Sequence, residues 1–364
     1  MKLSNLLCTA ITILVSMSTM AQNEIKLVVG TYTRGTSKGI YSFNFNQQTG
    51  KATPLDVLEI QNPSFLTISK DGRHIYSVSE NGDKSEASVN AIAFNSKTGK
   101  MKLINSQLTY GEDPCYIETN GNLLLTANYT GGSMSVFRLN ANGSIRPLSQ
   151  LFLGSTAPSD KQQQSTPHVH CTRFSPDGKY VLATNFSANQ LLRYKFRDKN
   201  TLVADGVAGQ LRKNSGCRHF IWSKDRRFVY VMSEISGAVS VFKNGIGEMK
   251  RIQDIQSDSV GGEGGADIHL SKDGRFLYAS NRLKADGISI FKVNQQTGLL
   301  TKIGYQLTGI HPRHFNITPN GKFLLCACRD SNTIQVYRID PKTGLLTDTH
   351  QNIDVDKAVC IQFY

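Results

Sequence analysis

Residues 217–242 read CRHFIWSKDRRFVYVMSEISGAVSVF. The run divides into three short strands: CRHFIWS, a Lys-Asp-Arg turn, RFVYVMSE, a Ser-Gly turn, and AVSVF. Alternating apolar positions rich in β-branched and aromatic side chains mark the strands. Charged and Gly-containing breaks mark the hairpins. Five other segments follow the same plan: PSFLTISKDGRHIYSVSE from Pro63, PCYIETNGNLLLTANYTGGSMSVF from Pro114, HCTRFSPDGKYVLATNFSANQLLRY from His170, DIHLSKDGRFLYASNRLKADGISIF from Asp267 and RHFNITPNGKFLLCACRDSNTIQVY from Arg313.

The turn residues set the period. They fall at Asp71, Asn120, Asp177, Asp225, Asp273 and Asn320, in steps of 49, 57, 48, 48 and 47 residues. The long step holds an insertion, GSTAPSDKQQQSTPH, from Gly154 to His168. A period near 48 with four strands per unit is the signature of a β-propeller. Six turns account for six blades. The seventh is split: Lys26 to Ile60 supplies KLVVGTYT, GIYSFNF and PLDVLEI but lacks an inner strand, and the chain ends on a lone strand, AVCIQFY. Placing that strand innermost in the first blade closes the ring and removes free sheet edges. The expectation is an all-β, seven-bladed propeller with four-stranded blades, a single domain over residues 22–364.

The first 21 residues are a separate matter. Lys2 precedes an apolar run, LLCTAITILVSMSTM, and then Ala21-Gln22. This is the pattern of a cleavable signal peptide, too short and too rich in Ser and Thr for a membrane span. A periplasmic or secreted protein is expected, not inserted in a membrane after cleavage. The other six cysteines, Cys115, Cys171, Cys217, Cys326, Cys328 and Cys360, all fall in strand patterns and read as buried free thiols, although an oxidising compartment leaves a disulfide open. The net charge of +13 is spread through turns. There is no basic stripe with interleaved aromatics, so no nucleic-acid partner is expected. A small anionic substrate is compatible with that charge.

In a propeller the inner strand of each blade lines the central channel. The start of the inner strand and the end of the second strand share one rim. Seven residues before the turn stand Ser64, His170, Arg218, Ala266 and Arg313, with Cys115 equivalent in the short-turn blade. Nine residues after it stand Glu80, Tyr129, Phe186, Glu234, Arg282 and Arg329. The two registers gather His170, Arg218, Arg313, Glu80, Glu234, Arg282 and Arg329 at one mouth. His168 precedes His170 by two. His219, Asp267 and His314 sit one residue past the first register. Rim charges often only pair across blades. Several Arg with His and Glu in matching registers point instead to a ligand that offsets buried like charges. His170, Arg218, Glu234, Arg282 and Arg313 are the candidate catalytic residues. His168, Glu80, His219, His269, His314 and Arg329 are candidate substrate contacts.

Other chemistry finds little support. The run Gly261-Gly262-Glu263-Gly264-Gly265 lacks a following Lys-Ser/Thr and reads as a flexible connection. No Gly-x-Ser-x-Gly elbow is present. His168 and His170 could share a metal, but no partner carboxylate lies near in sequence. No metal and no cofactor are expected, and a monomer is the expected state.

Five motifs in order carry a family resemblance: Gly30-Thr31-Tyr32-Thr33; Pro167-His168-Val169-His170; Cys217-Arg218-His219-Phe220 with Ser233-Glu234; Ser280-Asn281-Arg282; and His311-Pro312-Arg313-His314-Phe315. With these the chain resembles the bacterial 6-phosphogluconolactonase and lactonase family of seven-bladed propellers, over essentially everything after the first 21 residues. The resemblance implies hydrolysis of a sugar lactone at the mouth of the channel. That family is similar to fungal carboxymuconate cycloisomerases, thought to use a His, two Arg and a Glu at one mouth. His170, Arg218, Glu234 and Arg282 or Arg313 are the matching positions. The chain departs at Asn185-Phe186, where family members often carry Asp-Leu. A signal peptide also sits poorly with cytosolic sugar-phosphate metabolism. A non-catalytic propeller binding carbohydrate or protein, and a muconate-type cycloisomerase or lyase, remain alternatives.

Overall fold

A computed structural model describes residues 23–245 and 247–364. The expected signal peptide, residues 1–21, lies outside them. Seven antiparallel sheets follow one another around a ring. Six are built in chain order. The other has the order Ala358–Phe363, Glu24–Thr31, Gly39–Asn46, Ala52–Glu59, so the last strand of the chain is the inner strand of the first blade. Leu27 pairs with Phe363 and Gly30 with Cys360. The last blade adds a short fifth strand, Ile353–Asp354.

The repeated turns form for a local reason. In Ser-x-Asp-Gly-Arg the aspartate accepts from the serine hydroxyl and from the backbone N–H two residues on. Ser69 Oγ to Asp71 Oδ1 is 2.6 Å and Ser271 Oγ to Asp273 Oδ1 is 2.7 Å. The side chain thus replaces a missing backbone partner and fixes the hairpin. Second strands are almost wholly apolar and buried, as in Phe228–Ser233 and Phe276–Asn281. Adjacent sheets bury them against each other, and among the described residues no helix contributes to the core. All six cysteines within the described residues are buried and free.

One irregularity recurs where it matters. The inner strand carries an extra residue near its start in six blades. Cys217 pairs with Ser233 and His219 with Met232, leaving Arg218 unpaired; Pro312 pairs with Cys328 and His314 with Ala327, leaving Arg313 unpaired. The same step occurs at Cys115, at His170 with Cys171, at Ala266 with Asp267, and at Val359. A β-bulge breaks strict alternation and re-aims a side chain. It therefore frees Arg218 and His219, neighbours in sequence, to serve the same channel at different depths.

Candidate active site

The upper mouth holds two ionic clusters. In the first, Glu234, at the end of Phe228–Ser233, takes two guanidiniums on one oxygen. Arg218 Nε lies 2.9 Å from Oε2 and Arg282 Nη2 also 2.9 Å. Arg218 further donates from Nη1 to the Ala266 carbonyl at 2.9 Å. Arg282 donates from Nε to the Gly264 carbonyl at 2.9 Å and from Nη2 to that of Gly265. The glycine run read as a flexible connection is thus the cradle of a buried arginine. Gly265 is required there, because a Cβ would overlap the Ser233 carbonyl oxygen. Burial alone would raise the Glu234 carboxyl, but Arg282, Arg218 and Arg313 outweigh it and hold it below its ordinary value.

In the second cluster, Glu80 accepts the Tyr32 hydroxyl at 2.7 Å and the Ser64 hydroxyl. Arg313 Nη2 stands 3.6 Å from Glu80, and its guanidinium lies over the Tyr32 ring, 5.4 Å from the centroid. No group among the described residues accepts a hydrogen bond from that guanidinium. Its N–H groups are available to a ligand. A cavity of about 670 Å³ opens beside this cluster, lined by Tyr32, Glu80, Asp113, Arg329, Asp330 and Lys357 among others.

His170 lies between the clusters, buried, with Nδ1 3.7 Å from Cys115 Sγ. Its Nε2 has no partner among the described residues. Burial, then Arg218, push its pKa well below the usual histidine value, so the ring is a neutral acceptor at neutral pH. Tyr129 stacks on His168, with centroids 4.2 Å apart and planes 4° from parallel, and meets His170 edge-on. His168 donates from Nδ1 to the Tyr129 carbonyl at 2.7 Å. Arg329 sits at the cavity rim, clamped by Asp330 at 2.9 and 2.7 Å.

Three of the candidate substrate contacts stand deeper. His219, His269 and His314 line a second, lower cavity of about 290 Å³ together with Asp267. Beyond the bulge the strand has advanced one residue down the channel, which separates His219 from Arg218 and His314 from Arg313. Asp267 Oδ1 accepts from His219 Nδ1 at 2.8 Å; Oδ2 accepts from His269 Nε2 at 3.0 Å and from the Phe315 N–H at 3.2 Å, with His314 Nε2 at 3.5 Å. Asp267, His269 and His314 bring ligand atoms within 4.8 Å of one another, a spacing open to a metal ion. The proton count opposes it. His314 Nδ1 accepts the Ile361 N–H at 3.2 Å, so Nε2 carries the ring hydrogen and faces Asp267 as a donor. Tyr32, Arg313's aromatic partner, stood only inside a motif and not in either register. Its contact with Glu80 crosses between blades, which no register within one blade reveals.

Residues 26–363 match the family described as lactonase, 7-bladed beta-propeller. The chain belongs to this family. A Formosa agariphila protein named 6-phosphogluconolactonase is 34% identical over 93% of this chain and 99% of its own length. Among solved structures, a Bacteroides uniformis protein provisionally named a 6-phosphogluconolactonase is 52% identical, with a TM-score of 0.91, over 94% of this chain and all of the other. A periplasmic gluconolactonase from Pseudomonas aeruginosa is 31% identical, with a TM-score of 0.87, over 93% of this chain and 99% of the other.

Proposed function

We propose that this protein is a lactonase that opens a sugar lactone in the upper cavity. The observation that carries the reading is Arg313, a largely buried guanidinium packed on Tyr32 and Glu80 of the cavity wall, with none of its N–H groups hydrogen-bonded among the described residues. Full satisfaction is the rule for buried donors, so a ligand oxygen is the natural partner. Arg313 receives the lactone carbonyl oxygen and stabilises the negative charge that grows on it. His170, neutral and with Nε2 open, takes a proton from the attacking water. The water oxygen bonds to the carbonyl carbon, the ring C–O bond breaks, and the ring oxygen leaves as an alcohol by taking up a proton. The products are an open-chain carboxylate and one released proton. Glu234 is bound by two arginines and held ionised, which suits it to fixing Arg218 and Arg282 rather than to moving protons.

The rim favours a neutral sugar lactone over a phosphorylated one. Arg34, Arg329 and Lys357 line the cavity together with Glu80, Asp113 and Asp330. Arg329 and Lys357 already pair with Asp330, Lys357 at 3.4 Å. A phosphate dianion would have to compete for them. An exported location is consistent with this reading, as is the periplasmic relative, and among the described residues no helix is long and apolar enough to cross a membrane.

The test is proton release by purified protein on gluconolactone and on 6-phosphogluconolactone, with spontaneous hydrolysis subtracted. Faster turnover of the neutral lactone supports both parts of the reading. Faster turnover of the phosphorylated lactone keeps the activity and overturns the charge argument. No turnover of either by folded protein overturns the activity.

A further inference from the structure

Asp267 is a fully buried carboxylate in the lower half of the channel, away from the upper cavity. It joins three blades: His219 belongs to one, Asp267 and His269 to the next, His314 and the Phe315 N–H to the third. Its hydrogen bond to His219 fixes where that ring keeps its hydrogen. Nδ1–H points at Asp267, so Nε2 is the bare acceptor. That nitrogen faces Arg218 Nη1 at 3.4 Å. On the far side of the same guanidinium is Glu234.

We propose that Asp267 is a positioning residue for Arg218, acting through the tautomer of His219. The chain Asp267–His219–Arg218–Glu234 runs from the lower cavity to the upper site. Each member presents an acceptor or a donor that the next requires. An orienting carboxylate behind an imidazole that itself serves the reacting site is a known way to fix a ring's tautomer and angle. The proposal rests on the reading of Arg218 as part of the lactonase site.

The substitution Asp267→Asn turns the tautomer into a test. The Phe315 backbone N–H can only donate, so it dictates the orientation of the new amide: Oδ1 must face Phe315, leaving Nδ2–H facing His219. His219 then has to accept at Nδ1 and carry its hydrogen on Nε2, where it meets the Arg218 N–H. The variant should fold but lose about 10- to 100-fold in kcat, with a smaller change in KM. His219→Gln offers a carbonyl oxygen near the old Nε2 position whatever stands at 267. Whatever activity that variant retains, adding Asp267→Asn to it should cost less than about threefold.

Nitrogen NMR of the His219 ring supplies a readout that needs no substrate. Hydrogen on Nδ1 in the wild type and on Nε2 in Asp267→Asn is the expected result. Hydrogen on Nε2 in the wild type overturns the proposal, even if the variant fails to fold. A switched tautomer with unchanged kcat overturns it too, as does an equal loss in the His219→Gln background. A wild type without lactonase activity but with the expected tautomers sinks the functional reading alone.

Discussion

Arg313 stands 3.6 Å from Glu80 and donates a hydrogen bond to no group among the described residues, whereas Arg218 spends Nε on Glu234 and Nη1 on a backbone carbonyl. The two arginines occupy the same position of the repeat. Their difference separates a group that holds the site together from one that awaits a ligand.

Arg313→Ala should therefore cost less stability than a change at Glu234, about 1–2 kcal/mol for the lost contacts with the Tyr32 ring and the Glu80 carboxylate. It should lower kcat/KM by about 10²- to 10³-fold, the loss expected on removing a charge-stabilising donor. Thermal unfolding and lactone kinetics on the same preparation check the split. A large drop in melting temperature with little kinetic effect would assign Arg313 a structural role.

Glu234→Gln should behave in the opposite way. Two guanidiniums share Glu234 Oε2, and removing its charge leaves both buried without compensation. A loss of about 3–5 kcal/mol in unfolding free energy is expected, together with loss of activity. Denaturant titration measures it, and a stability within about 1 kcal/mol of wild type would contradict the account.

Acid should destabilise the protein through its buried histidines. Burial lowers the His219 pKa to about 3, with Arg218 adding to the effect, and lowers the His314 pKa to about 4. Their unfolded value is near 6.5. Between pH 6.5 and about 4 the unfolded chain binds protons that the folded chain refuses, so stability falls as pH falls through that window. At pH 5 each ring contributes about 2 kcal/mol of destabilisation. Unfolding titrations at pH 7, 6 and 5 should show the decline, and His219→Gln should flatten it by about one proton. A wild-type stability constant from pH 7 to 5 would show that these rings are charged in the fold.

Activity should follow a different pH course. The depressed pKa of His170 keeps it an acceptor throughout the neutral range. The acid limb of kcat/KM should lie well below pH 6.5, with a flat profile from pH 6 to 8 after background subtraction. An inflection near 6.5 would mean that His170 is not the base.

The ring and its closure were legible from spacing alone, because each turn carries its own hydrogen-bonding side chain and each blade must cover the next. Placing the AVCIQFY strand in the first blade needed only the rule that edges be covered. The gathering of Arg218, Glu234, Arg282, Arg313 and Glu80 at one mouth followed from the repeat register, but which of them pair did not. Depth in the channel did not. A recurring bulge sends His219 and His314 below Arg218 and Arg313, and alternation cannot show an extra residue whose neighbours are polar on both sides. Tyr32 escaped because its contact with Glu80 joins two blades. The carbonyls of Gly264 and Gly265 escaped because a glycine run has no side chain to betray what its backbone holds.

The central claim is that a lactone carbonyl oxygen takes up the unused N–H groups of Arg313. Proton release on gluconolactone by wild type and Arg313→Ala, compared at a temperature where both are folded, tests it most directly. The account predicts saturable turnover by the wild type and a loss of about 10²-fold or more in the variant. Equal turnover by the two proteins would contradict it.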